Sequence, residues 1–254
     1  MVTVAISTAN ESSNIKECIQ SAKLLTDHIL VIDMQSTDNT VDIARTEGAR
    51  VLSVPPSGYV EPVRKLAIVE AQDDWVCILD ADERLTAELA TEIRSLLNES
   101  NESSPSHYYI PRKNIFSSTW LAHGGWYPDA QIRLIRKSAF QGWPERIHST
   151  PQIVGTSGHL TNPIVHYFHG NLTQMVTKTI KYEMIESELL FRANRPVQTM
   201  TLFRKFFGEL FRRLIKHQGF RDGMMGWIES IYQAYSKTIT YIFLYEKYVK
   251  KTSQ

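Results

Sequence analysis

The sequence predicts an α/β fold: a mostly parallel central sheet flanked by helices, with a helical C-terminal extension. Three observations carry that expectation. Short apolar, β-branched runs alternate with segments of helical periodicity along residues 1–80, the pattern of strands joined by crossover helices. Asn10, Asp33 and Asp80 stand where three of those runs stop, and a parallel sheet gathers such ends on one edge. Past residue 170, apolar residues recur at helical spacing, as in Ile228, Ile231, Tyr232, Tyr235, Ile239, Ile242 and Phe243.

The first strand is Val2-Thr3-Val4-Ala5-Ile6, which runs into Ser7-Thr8-Ala9-Asn10-Glu11 and then a helix carrying Ile15, Ile19 and Ala22 on one face. Ile29-Leu30-Val31-Ile32 forms the second strand and ends at Asp33. The turn-rich Gln35-Ser36-Thr37-Asp38-Asn39-Thr40 leads to a helix holding Val41, Ile43 and Ala44. Arg50-Val51-Leu52-Ser53-Val54 is a third strand, residues 63–71 a further helix, and Trp75-Val76-Cys77-Ile78-Leu79 the strand that delivers Asp80-Ala81-Asp82-Glu83. Polar residues from Asn98 to Ser106 close the first part, and Tyr108-Tyr109-Ile110-Pro111-Arg112 opens the next. The expected segments are 1–105, 106–170 and 171–254.

At 254 residues and 43% hydrophobic content, the chain holds a sizeable core. Cys18 and Cys77 sit in apolar patterns and are expected to be buried thiols, as suits a reducing cytoplasm. The N-terminus has no charged stretch followed by an apolar one, and no run is long enough to span a bilayer, so neither a signal peptide nor a spanning helix is expected. Charge is divided. Residues 1–170 carry 14 Lys and Arg against 20 Asp and Glu, whereas residues 171–254 carry 14 against 7. Arg204, Lys205, Arg212, Arg213 and Lys216 lie among Phe203, Phe206, Phe207 and Phe211. A basic, aromatic, helical region suits an anionic membrane surface; the alternative is an ordinary packed helical domain with a solvated face. The near-neutral total and the lack of a reader motif exclude nucleic acid as the expected partner.

Two carboxylates just beyond a buried strand can hold Mg2+ or Mn2+ while diphosphate oxygens take the metal's remaining positions. The alternative for Asp82 is capping the helix that starts near Thr86. The surrounding stretches decide the reading. Asn10-Glu11, Ile32-Asp33 with Ser36-Thr37-Asp38-Asn39-Thr40, and Asp73-Asp74-Trp75-Val76 leading into Leu79-Asp80-Ala81-Asp82-Glu83 resemble an inverting glycosyltransferase of family 2 with the GT-A nucleotide-diphospho-sugar transferase fold. His123-Gly124-Gly125-Trp126-Tyr127-Pro128-Asp129, Arg133-Leu134-Ile135-Arg136-Lys137 and Gly219-Phe220-Arg221-Asp222-Gly223 resemble the branch that builds the lipopolysaccharide inner core. Three departures stand out. The branch reads D-S-G-S-x-D-G-T where this chain has no glycine between Asp33 and Thr40, so a different turn geometry is expected. Arg64-Lys65 stands where relatives carry a basic residue and Asn, and His148-Ser149 where they carry H-E.

The resemblance implies transfer of a hexose, with glucose the expectation, from a UDP-sugar to a lipid-linked or oligosaccharide acceptor. Asp129 is then the candidate base, with Glu145 as substitute. Asp82 binds the metal, Asp80 touches metal or ribose, and His148 adds a metal or diphosphate contact. Asp33 reads base or ribose, Thr8, Asn10 and Glu11 border the same pocket, and Arg64 and Ala81 complete the nucleotide-sugar set. Trp126 and Tyr127 offer the acceptor sugar an apolar platform; the alternative is that they pack the Gly-rich loop closed. His166 and His169 are spaced as a ligand pair, although packing is the role expected of them. The place implied is the cytoplasm, peripheral on the inner face of the membrane. Two other classes stay open: a sugar nucleotidyltransferase, disfavoured because no Gly-rich, basic loop follows the first strand, and a non-catalytic sugar-nucleotide-binding or membrane-docking module.

Overall fold

The computed structural model describes residues 1–56, 60–99, 103–144, 149–168 and 172–252, the side chains of 172, 174 and 252 excepted. In chain order the elements are β1 (Val2–Thr8), α1 (Ile15–Ala22), β2 (Ile29–Asp33), α2 (Thr40–Thr46), β3 (Arg50–Ser53), α3 (Glu61–Glu70), β4 (Trp75–Asp80), β5 (Glu83–Arg84) and α4 (Ala87–Glu99). Then come β6 (His107–Ile110), β7 (Arg112–Phe116), β8 (Thr119–Trp120), β9 (Gln131–Arg136), β10 (Phe140–Gly142), β11 (Gln152–Ile153), β12 (Ser157–His159) and β13 (Ile164–Tyr167). The chain ends in α5 (Leu172–Arg192), α6 (Thr199–Leu210), a π-helical turn (Phe211–Lys216), a 3-10 turn (Gly219–Asp222) and α7 (Gly223–Thr252). These elements form two compact units, residues 1–112 with 129–166 and residues 113–128 with 167–254.

The first unit is built on a seven-stranded sheet in the order β12-β6-β9-β4-β1-β2-β3. β4, β1, β2 and β3 run parallel, and β9 enters antiparallel to β4. Every residue of β1 is buried, because helices cover both faces of a parallel sheet. Strand alternation then divides the core. Val4, Ile6, Val31, Cys77 and Leu79 pack with α1 and α4 through Ile15, Ile19, Leu89 and Ile93, while Ala5, Ile32, Val76 and Ile78 meet Val63, Ala67 and Ile68 of α3. Burying each large aliphatic side chain contributes roughly 1.5–3 kcal/mol. Cys18 and Cys77 are free and buried, and burial pushes both thiols up, Cys77 to about 12. The register sets Thr8 beside Asp33 and Ser7 beside Asp80, so the acidic strand ends share one edge.

The second unit packs Phe116, Leu121, Phe168 and Met175 with Trp126, Met225 and Tyr232. Its helices are pinned by polar contacts: buried Glu183 accepts bonds from Ser236, at 2.5 Å, and from Thr240. Glycine is required at Gly226, where a Cβ would sit 1.9 Å from the Gly219 carbonyl oxygen, and at Gly219, where it would sit 2.9 Å from the Arg213 carbonyl oxygen. No helix among the described residues is long and apolar enough to cross a membrane.

Glu229 of α7 is 1% exposed, with Oε2 unpartnered among the described residues. Burial raises its pKa from 4.5 to about 7, against the opposing effects of the Gln233 hydrogen bond and the Arg213 charge. The folded state therefore binds this proton more tightly than the unfolded chain, and stability declines as pH rises from 4.5 through about 7. Glu229→Gln removes that decline. Its melting temperature is expected to match or slightly trail wild type near pH 4.5 and to exceed it increasingly up to pH 8, as thermal scans across this range will read.

Candidate functional site

The two loops at the ends of β1 and β2 are sewn together. Asn10 adopts a left-handed conformation at φ 56, one that Asn tolerates. Its Oδ1 accepts from the Thr37 backbone N–H at 2.7 Å, and its own N–H donates to Ser36 Oγ at 2.8 Å. The Glu11 N–H donates to Thr40 Oγ1, and the Ser12 N–H to Asp38. Slight burial works to raise the Asp38 pKa, but bonds from Thr40 and Ser12 outweigh it and hold it at about 2. Asp33, 1% exposed, accepts the Ser36 N–H and, at 2.5 Å, the Ser36 hydroxyl. The missing glycine is replaced by strain: Gln35 itself takes the left-handed conformation at φ 55. Ser7 Oγ and Thr8 Oγ1 are buried without partners among the described residues, and unsatisfied hydroxyls at a strand edge can meet a ligand's polar groups.

At the end of β4, Asp80 is clamped by two guanidinium groups. Arg64 Nη2 donates to both its oxygens at 2.9 and 2.7 Å, and Arg133 Nη2 donates to Oδ2 at 2.9 Å. Desolvation works to raise the Asp80 pKa; Arg133 and Arg64 overcome it and hold the carboxyl well below the usual range. Glu83, fully buried, accepts from Arg133 at 2.6 Å and from Arg112 at 3.4 Å, and takes the Asp80 N–H at 2.9 Å. Arg112 in turn donates to Asp129 Oδ2 through Nε and Nη2, at 3.0 and 2.6 Å. Asp129, Arg112, Glu83, Arg133, Asp80 and Arg64 thus form one chain of alternating charge. Asp129 itself has φ 38 and also accepts from Gln131.

Asp82 is not the helix cap. Thr86 has that duty, its Oγ1 accepting the Leu89 N–H. Instead Asp82 Oδ2 lies 3.7 Å from His166 Nε2, because β5 pairs with β13 in a register that sets His166 beside Glu83. His166, expected to pack, therefore stands next to the acidic turn. No three metal-ligating side chains converge among the described residues. An oxygen and an imidazole nitrogen this close nevertheless fit part of the coordination shell of Mn2+. His148, Glu145 and His169 lie outside the described residues. Ala81 is buried behind the turn.

Within the second unit, Trp126 stacks on Phe168 at 4.9 Å and lies under Arg213 at 5.0 Å. Tyr127 is 38% exposed and meets Trp120 edge-on at 5.6 Å. The His-Gly-Gly and Gly-Phe-Arg-Asp-Gly stretches come together here. His123 donates its N–H to Asp222 Oδ2 at 2.7 Å, and its Nδ1 lies 2.5 Å from Oδ1. The Gly124 N–H donates to the His217 carbonyl at 2.8 Å, and Arg213 donates to the Gly124 carbonyl at 3.1 Å.

The family model for glycosyl transferase family 2 matches residues 3–149. Uncharacterized glycosyltransferase RP128 of Rickettsia prowazekii is 28% identical over 246 residues, covering 93% of this chain and 84% of the relative. The lipopolysaccharide core biosynthesis glycosyltransferase LpsC of Rhizobium meliloti is 23% identical over 256 residues, covering 95% and 91%. Among solved structures, S. aureus TarS 1-349 in complex with UDP-GlcNAc superposes with a TM-score of 0.51 at 15% identity, covering 98% of this chain and 92% of that one. The mannosyltransferase PcManGT from Pyrobaculum calidifontis, in complex with GDP-Man and Mn2+, gives 0.50 at 14%, covering 93% and 73%.

Proposed function

This chain belongs to glycosyl transferase family 2 and has the GT-A fold, and from that premise we propose that it transfers a hexose from a UDP-sugar to a saccharide acceptor with inversion. The observation that carries the reading is the ionic chain joining Asp129 to Asp80. It ties a carboxylate suited to proton abstraction to the strand end where a nucleoside diphosphate binds in such sheets.

In this reading Asp129 accepts the proton of the acceptor hydroxyl as that oxygen attacks the anomeric carbon. Arg112 orients the carboxylate. Asp82, with His166 beside it, holds Mg2+ or Mn2+, which when bound neutralises charge growing on the departing diphosphate. Asp33, Thr8 and Asn10 wall the nucleoside, since an ionised carboxylate that takes Ser36 still has lone pairs for a ring N–H or ribose hydroxyl. A cell-surface glycan such as the lipopolysaccharide core is the acceptor class, supported by the likeness to LpsC, and the protein works peripherally on the inner face of the cytoplasmic membrane.

The test incubates the full chain with UDP-glucose, UDP-galactose, UDP-GlcNAc and GDP-mannose in Mn2+ or Mg2+. Slow UDP release is the expected result, stopped by EDTA and restored by the metal. Asp82→Asn is expected to cut turnover at least about 100-fold, the scale of lost charge stabilisation. Pyrophosphate from UTP and a sugar phosphate would identify a nucleotidyltransferase instead, and full activity in EDTA would remove the metal from the mechanism.

A further inference from the structure

Along the continuous helical run of α6 and the π-helical turn, Met200, Phe203, Phe207, Phe211 and Ile215 recur every three or four residues. A globular helix turns such a stripe inward. Here they are 72, 54, 59, 62 and 51% exposed. Alongside the stripe, in the same unit, a cleft of about 550 Å3 opens, lined by Arg204, Lys205, Arg212 and Lys237 against Glu186 and Glu209. Glu209 is already engaged, accepting from Arg212 at 2.5 Å and Arg213 at 2.7 Å, which leaves the lining cationic.

We propose that this cleft binds the phosphoryl group of an anionic lipid headgroup while the aromatic stripe enters the adjoining acyl region, laying α6 in the plane of the membrane. Each phenylalanine has a cleft-lining neighbour one position on, in Phe203-Arg204, Phe207-Gly208 and Phe211-Arg212, so one helix meets tails and headgroup at adjacent angles. Guanidinium groups match phosphate oxygens in geometry as well as charge, and an interfacial helix combines apolar burial with attraction to anionic lipid. A second copy is the poorer occupant. A two-fold contact through this stripe would bring Arg204, Arg212 and Lys216 of both copies together. The inference deepens the proposed function and rests on its reading of the protein as peripheral on the inner face of the membrane.

The test floats the full chain with vesicles of phosphatidylcholine alone or mixed with phosphatidylglycerol. Binding is expected only to the mixture and to weaken with salt. Changing Arg204, Lys205 and Lys237 together to Gln is expected to lower it roughly 100-fold, from about 1 kcal/mol per cation. Phe203→Ser, Phe207→Ser and Phe211→Ser together are expected to lower it at least as far. Lys178→Gln, Lys181→Gln and Lys250→Gln, exposed in the same unit but outside the cleft, are expected to change it by no more than about fivefold. Equal losses in the two cation sets would reduce the effect to diffuse charge and overturn the cleft. Vesicle binding untouched by the Phe changes, together with calorimetric binding of inorganic phosphate, would make it a soluble-phosphate site. Absence of vesicle binding, with a dimer in sedimentation equilibrium that the Phe changes dissolve, would make the stripe a contact between copies. UDP release with a soluble acceptor, measured on the same variants, is expected to stay at the wild-type rate and tests the transferase reading separately.

Discussion

Asp129→Asn is expected to lower sugar transfer by roughly 100- to 10,000-fold, the contribution of a positioned base, while UDP-sugar affinity read by calorimetry is expected to stay at the wild-type value. The substitution preserves shape and the acceptor oxygen that faces Arg112, but it removes the site for the proton. In the proposed reading the donor is bound by residues at the ends of β1, β2 and β4, so affinity and turnover are expected to separate. A merely structural Asp129 would lower both together, through loss of the Arg112 contacts at 3.0 and 2.6 Å. An active Asp129→Asn beside a dead Glu145→Gln would transfer the role to Glu145.

Arg133→Met destabilises the protein by about 3–5 kcal/mol, the scale of breaking a buried ion pair from one side. Arg133 is 3% exposed and serves both Asp80 and Glu83. Without it Glu83, fully buried, keeps among the described residues the longer Arg112 contact and the Asp80 N–H. Adding Glu83→Gln to the variant recovers part of the loss, because the orphaned charge is gone. The gap also depends on pH in a fixed direction. Asp80 is held below its ordinary value of 3.8, with burial opposing and Arg133 and Arg64 prevailing. Its contribution is therefore present above pH 3.8 and lost as pH falls through the lower folded value. Urea unfolding at pH 7 and pH 3 is expected to show the wild-type advantage shrinking at the lower pH.

The parallel core was legible because strands buried on both faces are continuous apolar runs. β1 and β4 announce themselves, and with them the edge carrying Asp33 and Asp80. Glu83 was not legible as part of the site. A buried carboxylate is recognised by its partners, and Arg112 and Arg133 arrive 29 and 50 residues later. His166 stood out by its spacing from His169, but its neighbour did not, for a related reason: β5 is two residues long, too short for any periodicity, and only its pairing with β13 brings the imidazole to Asp82. The absent glycines after Asp33 led to the expectation of a different turn, but Gln35 at φ 55 keeps the left-handed backbone that glycine favours, so the departure lies in the residue that bears the strain. That Trp126 would be engaged by Phe168 and Arg213 could not be read from a Gly-rich loop, since Arg213 lies 87 residues away in sequence.

The two thiols give the sheet a built-in reporter. Cys77 is in the middle of β4 and Cys18 on the helix packed against it, and burial keeps both in the unreactive protonated form. An alkylating reagent can reach either sulfur only when the surrounding strands part. The rate at which the native protein consumes such a reagent is therefore a clock for local opening, and UDP bound along the neighbouring strand ends would slow that clock without touching either cysteine.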